Sequence, residues 1–386
     1  NAQQEPVFGP QRVSNARLES WAEKHLTKTD AIVLEMTTNT FEVHDLLVDH
    51  VHSVTVAHPP HVALIARAQV KTDKRDALAL AQLHAAGLLP GVWIPPQEVR
   101  DLRALVAQRW KMVRLRATAK NRLHAVLHRR HILPPEGGKL FSPQRRDWWL
   151  GLPLSPVELC NIQSDLDTLA FANGQVKLFE EHLGKIAARD ERMPLLVQIP
   201  GMGLITGMTA LAAIGAIERF DTAKRLVGYA GLGAKVDQSG NRYRTGRITK
   251  AGRKDLRHAM VEVARSAAST HPRWRREMER LEPRLGRNKA IVAIARKLLV
   301  AVWHVLTRRE ADRFASPWRV AAGLHLFAYR VKVRNLPQGS ARHFVREQMD
   351  RLGIGRELTH IPWGTKRVKL PPSRLPPEKM SGGTNR

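Results

Sequence analysis

A single cysteine, Cys160, stands in 386 residues. That excludes a disulfide framework within the chain and a thiolate-rich zinc site, and it fits a reducing cytoplasm. Aromatic residues are scarce at 5%, with only three tyrosines. Acids are scarcer than bases, 35 Asp and Glu against 63 Lys and Arg, which leaves a formal charge of +28. Such an excess repels itself unless a polyanion offsets it, so nucleic acid is the leading partner and an anionic membrane surface the competing one. Long hydrophobic runs are missing too. The uncharged stretch GLITGMTALAAIGAI falls short of the roughly 20 residues that span a bilayer, and AIVAIARKLLVAVWHVL carries Arg296 and Lys297. No membrane association is expected.

The length suffices for two or three domains. Residues 1–95 alternate strand and helix: AIVLEMT (31–37) and HSVTVAHP (52–59) read as strands, FEVHDLLVDH (41–50) as a helix. A short helix and then the helix of KTDKRDALALAQL (71–83) follow, a pattern of parallel or mixed α/β sheet that ends in the linker PGVWIPP (90–96). From Glu98 to His131 no Gly or Pro occurs, and apolar residues recur three and four apart. This predicts a long amphipathic helix, one arm of a coiled coil, with the stretch from Pro156 to Arg189 as its returning arm. A third, mostly helical region opens at MPLLVQIPGMG and encloses the Gly-rich, basic segment YAGLGAKVDQSGNRYRTGRITKAG (229–252), read as loop or hairpin. The expected divisions are 1–96, 97–194, 195–312 and 313–386, the last an extension ending in a disordered, Pro-rich basic tail.

Two places carry chemistry. Asp73 and Asp76 open a helix and share its face, where like charges repel, and Glu35 interrupts an apolar strand, where an unpaired charge is costly. A divalent cation such as Mg²⁺, taking oxygen ligands from Glu35, Asp73 and Asp76, would remove both penalties. A helix cap at Asp73, a dipole contact at Asp76 and an arginine partner for Glu35 would explain the same residues without metal. In the second place, Ser239 stands before Gly240, whose freedom permits a tight exposed turn. Arg242, Arg244, Arg247 and Lys250 follow and suit a phosphate clamp. The serine is a candidate phosphate-attacking nucleophile and Tyr243 its rival, while a loop that merely touches DNA backbone is the plain alternative. Just upstream, IPGMGLITG has the Gly-x-Gly turn of a helix-hairpin-helix, which would serve either phosphate binding or close helix packing.

Other residues carry two readings each. Arg114, Arg116, Lys120 and Arg122 bias the long helix towards phosphate contact. His124 and His128 have metal-ligand spacing, but the bases around them favour a nucleic-acid face. Trp148, Trp149 and Trp274 would stack on unpaired bases or fill a core.

Taken together, KTDKRDA, VLEMT, IPGMGLITGMTALAAIG, the Ser239 segment and LRHAMVEVARSA resemble elements of the DEDD transposases of bacterial insertion sequences, recombinases guided by a bridge RNA. The resemblance spans roughly residues 30–310. It implies a RuvC-like (ribonuclease-H-type) α/β domain, coiled-coil helices and a mostly helical transposase domain with a helix-hairpin-helix-like element. It also implies Glu35, Asp73 and Asp76 as the last three of four Mg²⁺-binding carboxylates, and Ser239 as nucleophile. Partners so implied are a structured non-coding RNA, donor and target DNA, and further copies of the chain as a dimer or tetramer whose domains cooperate across subunits. No Asp precedes Asp30, so the strand bearing the first carboxylate is read as missing. Two alternatives stay open: a metal-dependent nuclease whose serine loop only binds, and a non-catalytic RNA- or DNA-binding relic.

Overall fold

A computed structural model describes residues 9, 11–58, 72–240 and 242–375, the side chains of Asp73 and Thr245 excepted. The expected helix within 60–70 and the expected disorder of 376–386 lie outside the described residues. The chain divides into two compact units, Asn1–Pro96 and Gln97–Arg386.

In the first unit, helix α1 (Leu18–His25) precedes strand β1 (Ala31–Glu35), helix α2 (Thr40–Leu47) and strand β2 (Ser53–Ala57). The β1–α2–β2 segment is a strand–helix–strand unit whose strands pair in parallel, from Ala31 opposite Ser53 to Glu35 opposite Ala57. Buried Thr40 fixes the turn out of β1: its hydroxyl donates to the Glu35 carbonyl at 3.0 Å and accepts from the Thr37 N–H at 2.6 Å. On the far side of β2, the segment of the expected linker bridges antiparallel, Ala57 to Gly91. Helix α3 (Asp73–Ala85) lies against β1. Among the described residues this sheet has two strands.

The second unit is mostly helical. Its two longest helices, α4 (Gln97–Arg130) and α6 (Pro156–Ala187), pack against each other. Arg109 meets Glu180, Arg122 meets Asp165 and Arg130 meets Glu158, so one helix descends as the other rises. Ser155 and Glu158 cap α6 reciprocally, each side chain accepting the other's backbone N–H, and Pro156 stands at its first position. Both devices supply partners to a helix end that has none of its own. At the far end of the pair, Leu123, Leu127, Ile162 and Leu166 close around Trp149. Trp149 lies in the short helix α5 (Arg146–Leu150) and is fully buried, its indole N–H donating to the Leu140 carbonyl at 3.1 Å. It is a core residue and not a base-stacking one.

The main core gathers α7 (Arg192–Val197), α8 (Leu204–Ile214), α9 (Ala223–Tyr229), α10 (Lys254–Thr270), α11 (Pro272–Leu285) and α12 (Arg287–Arg308). Helix α12 is apolar and long enough to cross a membrane by length and composition, but half of its most apolar stretch is buried in this core. The segment beyond residue 312 joins the same core through Val320, Leu324, Phe344 and Ile361. It forms α13 (Pro317–Arg330), α14 (Ala341–Arg351) and a hairpin of β5 (His360–Trp363) with β6 (Lys366–Lys369).

Two local solutions shape this core. Gly201 has φ +84°, and a Cβ there would lie 2.4 Å from the Val263 carbonyl oxygen. Gly201 of the Gly-x-Gly turn therefore permits close packing of the α7–α8 corner on α10, whereas Gly203 meets nothing within 4 Å. At the other end of α8, the last carbonyls meet cations: Arg103 donates to Ala212 and Ala213, Arg219 to Ile214, and Arg192 to Gly215. The C-terminal end of a helix dipole favours positive charge, and its last carbonyls lack helical partners. Part of the basic excess is thus spent inside the fold.

Candidate active site and nucleic-acid interface

Strands β3 (Ala234–Ser239) and β4 (Arg242–Ile248) form an antiparallel hairpin whose side chains are exposed along all of β3. Ser239 ends β3 and pairs with Arg242; Gln238 pairs with Tyr243 and Asp237 with Arg244. Cross-strand partners share a face, and faces alternate along a strand. Ser239, Arg242, Asp237 and Arg244 therefore lie on one face of the hairpin, and Tyr243 lies on the other. Gly240 follows the serine with φ +55°, a left-handed turn conformation that glycine adopts without cost. Arg247 and Lys250 lie nearer the base, Arg247 within the register shift of the ladder and Lys250 beyond it with φ +55°.

The glycines at the hairpin's neck answer to packing. Gly252, at φ +128°, would put a Cβ 2.3 Å from the Tyr229 carbonyl oxygen, and Gly231, at φ +66°, would put one 2.7 Å from that of Ala251. Through this close approach, Arg253 N–H reaches the Tyr229 carbonyl at 2.8 Å and Thr249 N–H the Gly233 carbonyl at 2.8 Å. Arg257, on α10, donates to the carbonyls of Ala230 (2.9 Å) and Lys250 (3.2 Å). The hairpin is clamped at its root to two helices and projects its serine tip outward.

Beside that root, a groove of about 1050 Å³ runs between α4 and α10. Lys111, Arg114, Lys254 and Arg257 line it, and Trp110 packs edge-on against His258 at 4.5 Å between ring centroids. Burial works against the Arg253 charge, but the hydrogen-bonded Asp255 carboxylate raises its pKa above the ordinary value. Asp255, against the same burial, is held below the usual carboxylate range by Arg253. Both groups are therefore charged at neutral pH. The basic bias of α4 points to Arg114, while the α10 half of this groove is signalled only by the run GRKDLRH, which places Arg253 and Arg257 four residues apart. The other expected nucleic-acid residues of α4 differ in their surroundings. Lys120 sits over the Phe141 ring at 5.1 Å, and Arg122, still largely exposed, pairs with Asp165 at 3.3 Å.

In the first unit, Glu35 ends β1 at the carboxyl edge of the parallel pair and is exposed. The burial penalty inferred from its apolar neighbours therefore does not arise, since water reaches the carboxylate. Asp73 and Asp76 lie in the first turn of α3. The cap of that helix is Thr72, whose hydroxyl accepts the Arg75 N–H at 3.4 Å, so capping does not account for Asp73. Asp76 is half-buried, and the Asp73 side chain lies outside the described residues. Among the described residues no three His, Cys, Asp or Glu side chains stand together as a metal-holding group. The donor set of Glu35, Asp73 and Asp76 is nonetheless all carboxylate oxygen, the chemistry a hard divalent cation takes.

Two family models match separate parts of the chain. A family model for transposases of the DEDD IS110 type matches residues 1–132, and one described as the transposase IS116/IS110/IS902 family matches residues 193–279. The chain is 27% identical over 265 residues to the transposase for insertion sequence element IS1111A of Coxiella burnetii, covering 66% of this chain and 71% of that protein. It is likewise 27% identical over 320 residues to the pilin gene-inverting protein of Moraxella bovis, covering 80% of this chain and 91% of that one.

Proposed function

Because the chain belongs to the IS110 family of insertion-sequence transposases, and is thus a DNA transposase or recombinase, we propose that it cuts and rejoins DNA through a covalent phosphoserine on Ser239. The observation that carries this reading is the hairpin's sidedness: the serine hydroxyl shares its face with Arg242 and Arg244, and Tyr243 does not.

In the proposed step, the Ser239 Oγ–P bond forms as the P–O bond to one deoxyribose breaks. The hydroxyl proton leaves and the departing sugar oxygen gains one. Reverse attack by the hydroxyl of another strand frees the serine, so bond energy is conserved and no nucleotide is consumed. Arg242 and Arg244 would meet the charge that grows on the non-bridging oxygens, which is where fixed donors accelerate transfer most. Arg247, Lys250 and the α4–α10 groove with Arg114 would hold neighbouring phosphates, and Arg116, Lys120 and Arg122 would extend that track along α4.

The DEDD-type match suggests dependence on a divalent metal. Glu35, Asp73 and Asp76 are the residues proposed to hold Mg²⁺ within a RuvC-like domain, where the ion would supply a Lewis acid for phosphoryl transfer. A structured RNA pairing with donor and target DNA, and a homo-oligomeric active unit, complete the proposal and rest on the resemblance in sequence.

The test is incubation with RNA, donor and target DNA and Mg²⁺, followed by a denaturing gel. A protein–DNA adduct is expected that vanishes in Ser239→Ala and persists in Tyr243→Phe. Cleavage that survives Ser239→Ala but not Glu35→Gln would assign the reaction to the carboxylates alone.

A further inference from the structure

A second concave surface lies on the second unit, assembled from five stretches of the sequence. The α7–α8 corner, the α10–α11 junction, Leu298 and Ala301 of α12, the segment into α13 and the β5–β6 hairpin enclose a cleft of about 530 Å³. Its walls carry Trp274, Phe314, Trp318, Leu326 and Trp363. Four large apolar side chains here stay in water: Phe314 is 41% exposed, Trp318 45%, Leu326 48% and Trp363 37%. Just outside the cleft, Tyr329, also exposed, stacks on Trp363 with ring centroids 5.8 Å apart.

Two features say what chemistry would cover these rings. The first is cationic. The Arg273 guanidinium lies 3.2 Å from the Phe314 ring centroid, and that of Arg319 lies 4.3 Å from the Trp318 ring. Arg319 lines the cleft and also donates to the Thr270 carbonyl at 3.3 Å. Asp312 is the one acid lining the cleft, and its Oδ2 already accepts the Phe314 N–H at 3.0 Å. The second is a set of orphaned atoms. His271 Nδ1 and Arg273 Nε are buried without a hydrogen-bond partner among the described residues. Buried polar atoms of this kind are rare unless a ligand or water completes them. Burial, then Arg319 and Arg273, lowers the His271 pKa against Asp312, which keeps a neutral ring able to donate or accept.

We propose that this cleft receives unpaired bases of a single DNA strand, which stack on Trp318 and Trp363 while the flanking arginines meet the phosphates. Stacking on aromatic faces beside a cationic rim is how unpaired strands are held without sequence preference. A neutral or basic protein partner would leave the arginines unneutralised, and a closed duplex offers no free base face. Cutting and rejoining strands at staggered positions exposes unpaired bases, so the inference rests on the chain's acting on DNA and is independent of Ser239 and of RNA guidance.

The full-length protein is titrated, by fluorescence anisotropy, with a labelled oligodeoxythymidylate, an abasic strand of equal length, a duplex and an oligouridylate. The Trp318→Ala, Trp363→Ala pair should weaken oligodeoxythymidylate binding by about tenfold or more, with little change for the abasic strand and duplex. Trp318→Phe with Trp363→Phe should restore most of the affinity, and unchanged thermal melts would exclude misfolding. Equal losses on the abasic strand, or no loss at all, would overturn the proposal. So would a ring-dependent preference for oligouridylate. Unchanged DNA affinity together with a shift in sedimentation mass would reassign the face to a second copy of the chain.

Discussion

Arg242, three positions on in sequence, stands directly across the hairpin from Ser239. In antiparallel pairs, directly opposed side chains lie close enough to act on one group, so a phosphate meeting the serine meets this guanidinium at the same moment. Arg242→Ala is expected to slow adduct formation on the order of 10²-fold, with DNA affinity reduced far less. Arg242→Lys keeps the charge but loses the planar fork and should recover only part of the rate. Single-turnover cleavage assays separate these outcomes, and equal rates for wild type and Arg242→Ala would remove the arginine from the reaction.

The hairpin's root makes a different claim. A methyl group at Gly252 would collide with the Tyr229 carbonyl oxygen at 2.3 Å on a backbone that L-residues rarely adopt. Gly252→Ala should cost about 2 kcal/mol of stability and also swing the serine tip out of place. Gly240→Ala, at the open tip, meets no atom within 4 Å and pays only about 1 kcal/mol for its left-handed backbone. Thermal melting with cleavage assays distinguishes the two: the root variant loses both stability and activity, the tip variant chiefly local order.

Much of this was readable in the chain. The alternation around AIVLEMT and HSVTVAHP predicts β1 and β2 because strand and helix periods differ, and the Gly- and Pro-free run from Glu98 announces α4 for the same local reason. The Ser-Gly turn was legible because its signal lies within four residues. Less legible was anything set by distant partners. Arg103 looks like another nucleic-acid contact on a basic helix, yet it caps carbonyls at Ala212 and Ala213, which nothing near it in sequence reveals. The cleft around Trp318 draws on segments from Val197 to Trp363, so no window of sequence contains it. Trp149 and Trp274 could not be told from stacking aromatics until their burial was known.

That distinction among arginines is open to measurement. Arg219 donates to the Ile214 carbonyl at 2.8 Å, and its guanidinium lies 4.1 Å from the Phe220 ring centroid and 4.4 Å from that of Tyr229. Arg219→Ala should lower stability by about 1–3 kcal/mol, because a buried helix end loses its donor, and leave the salt dependence of DNA binding unchanged. Arg114→Ala, in the open groove, should do the reverse. Stability holds, while the slope of log affinity against log salt falls by about one. Urea melts and binding titrations at several salt concentrations measure the two effects independently.

Glu277, on α11, is tied to two cations: Arg280 donates to it from Nε and Nη2 at 3.1 and 2.8 Å, and Lys297 of α12 reaches the same carboxylate. The Arg280 hydrogen bonds, and against burial those of Lys297, lower its pKa from 4.5 to about 2. Because the folded pKa lies below the unfolded one, the unfolded chain binds the proton more readily. The contribution to stability is therefore complete above about pH 4.5 and is lost as pH falls towards about 2. Its size is limited by exposed partners, Arg280 at 62% and Lys297 at 49%, and about 1 kcal/mol is expected. Urea midpoints of wild type and Glu277→Gln should thus differ at neutral pH and converge in acid. A difference that persists unchanged through that window would mean the side chain stabilises the α11–α12 contact by packing and not by charge.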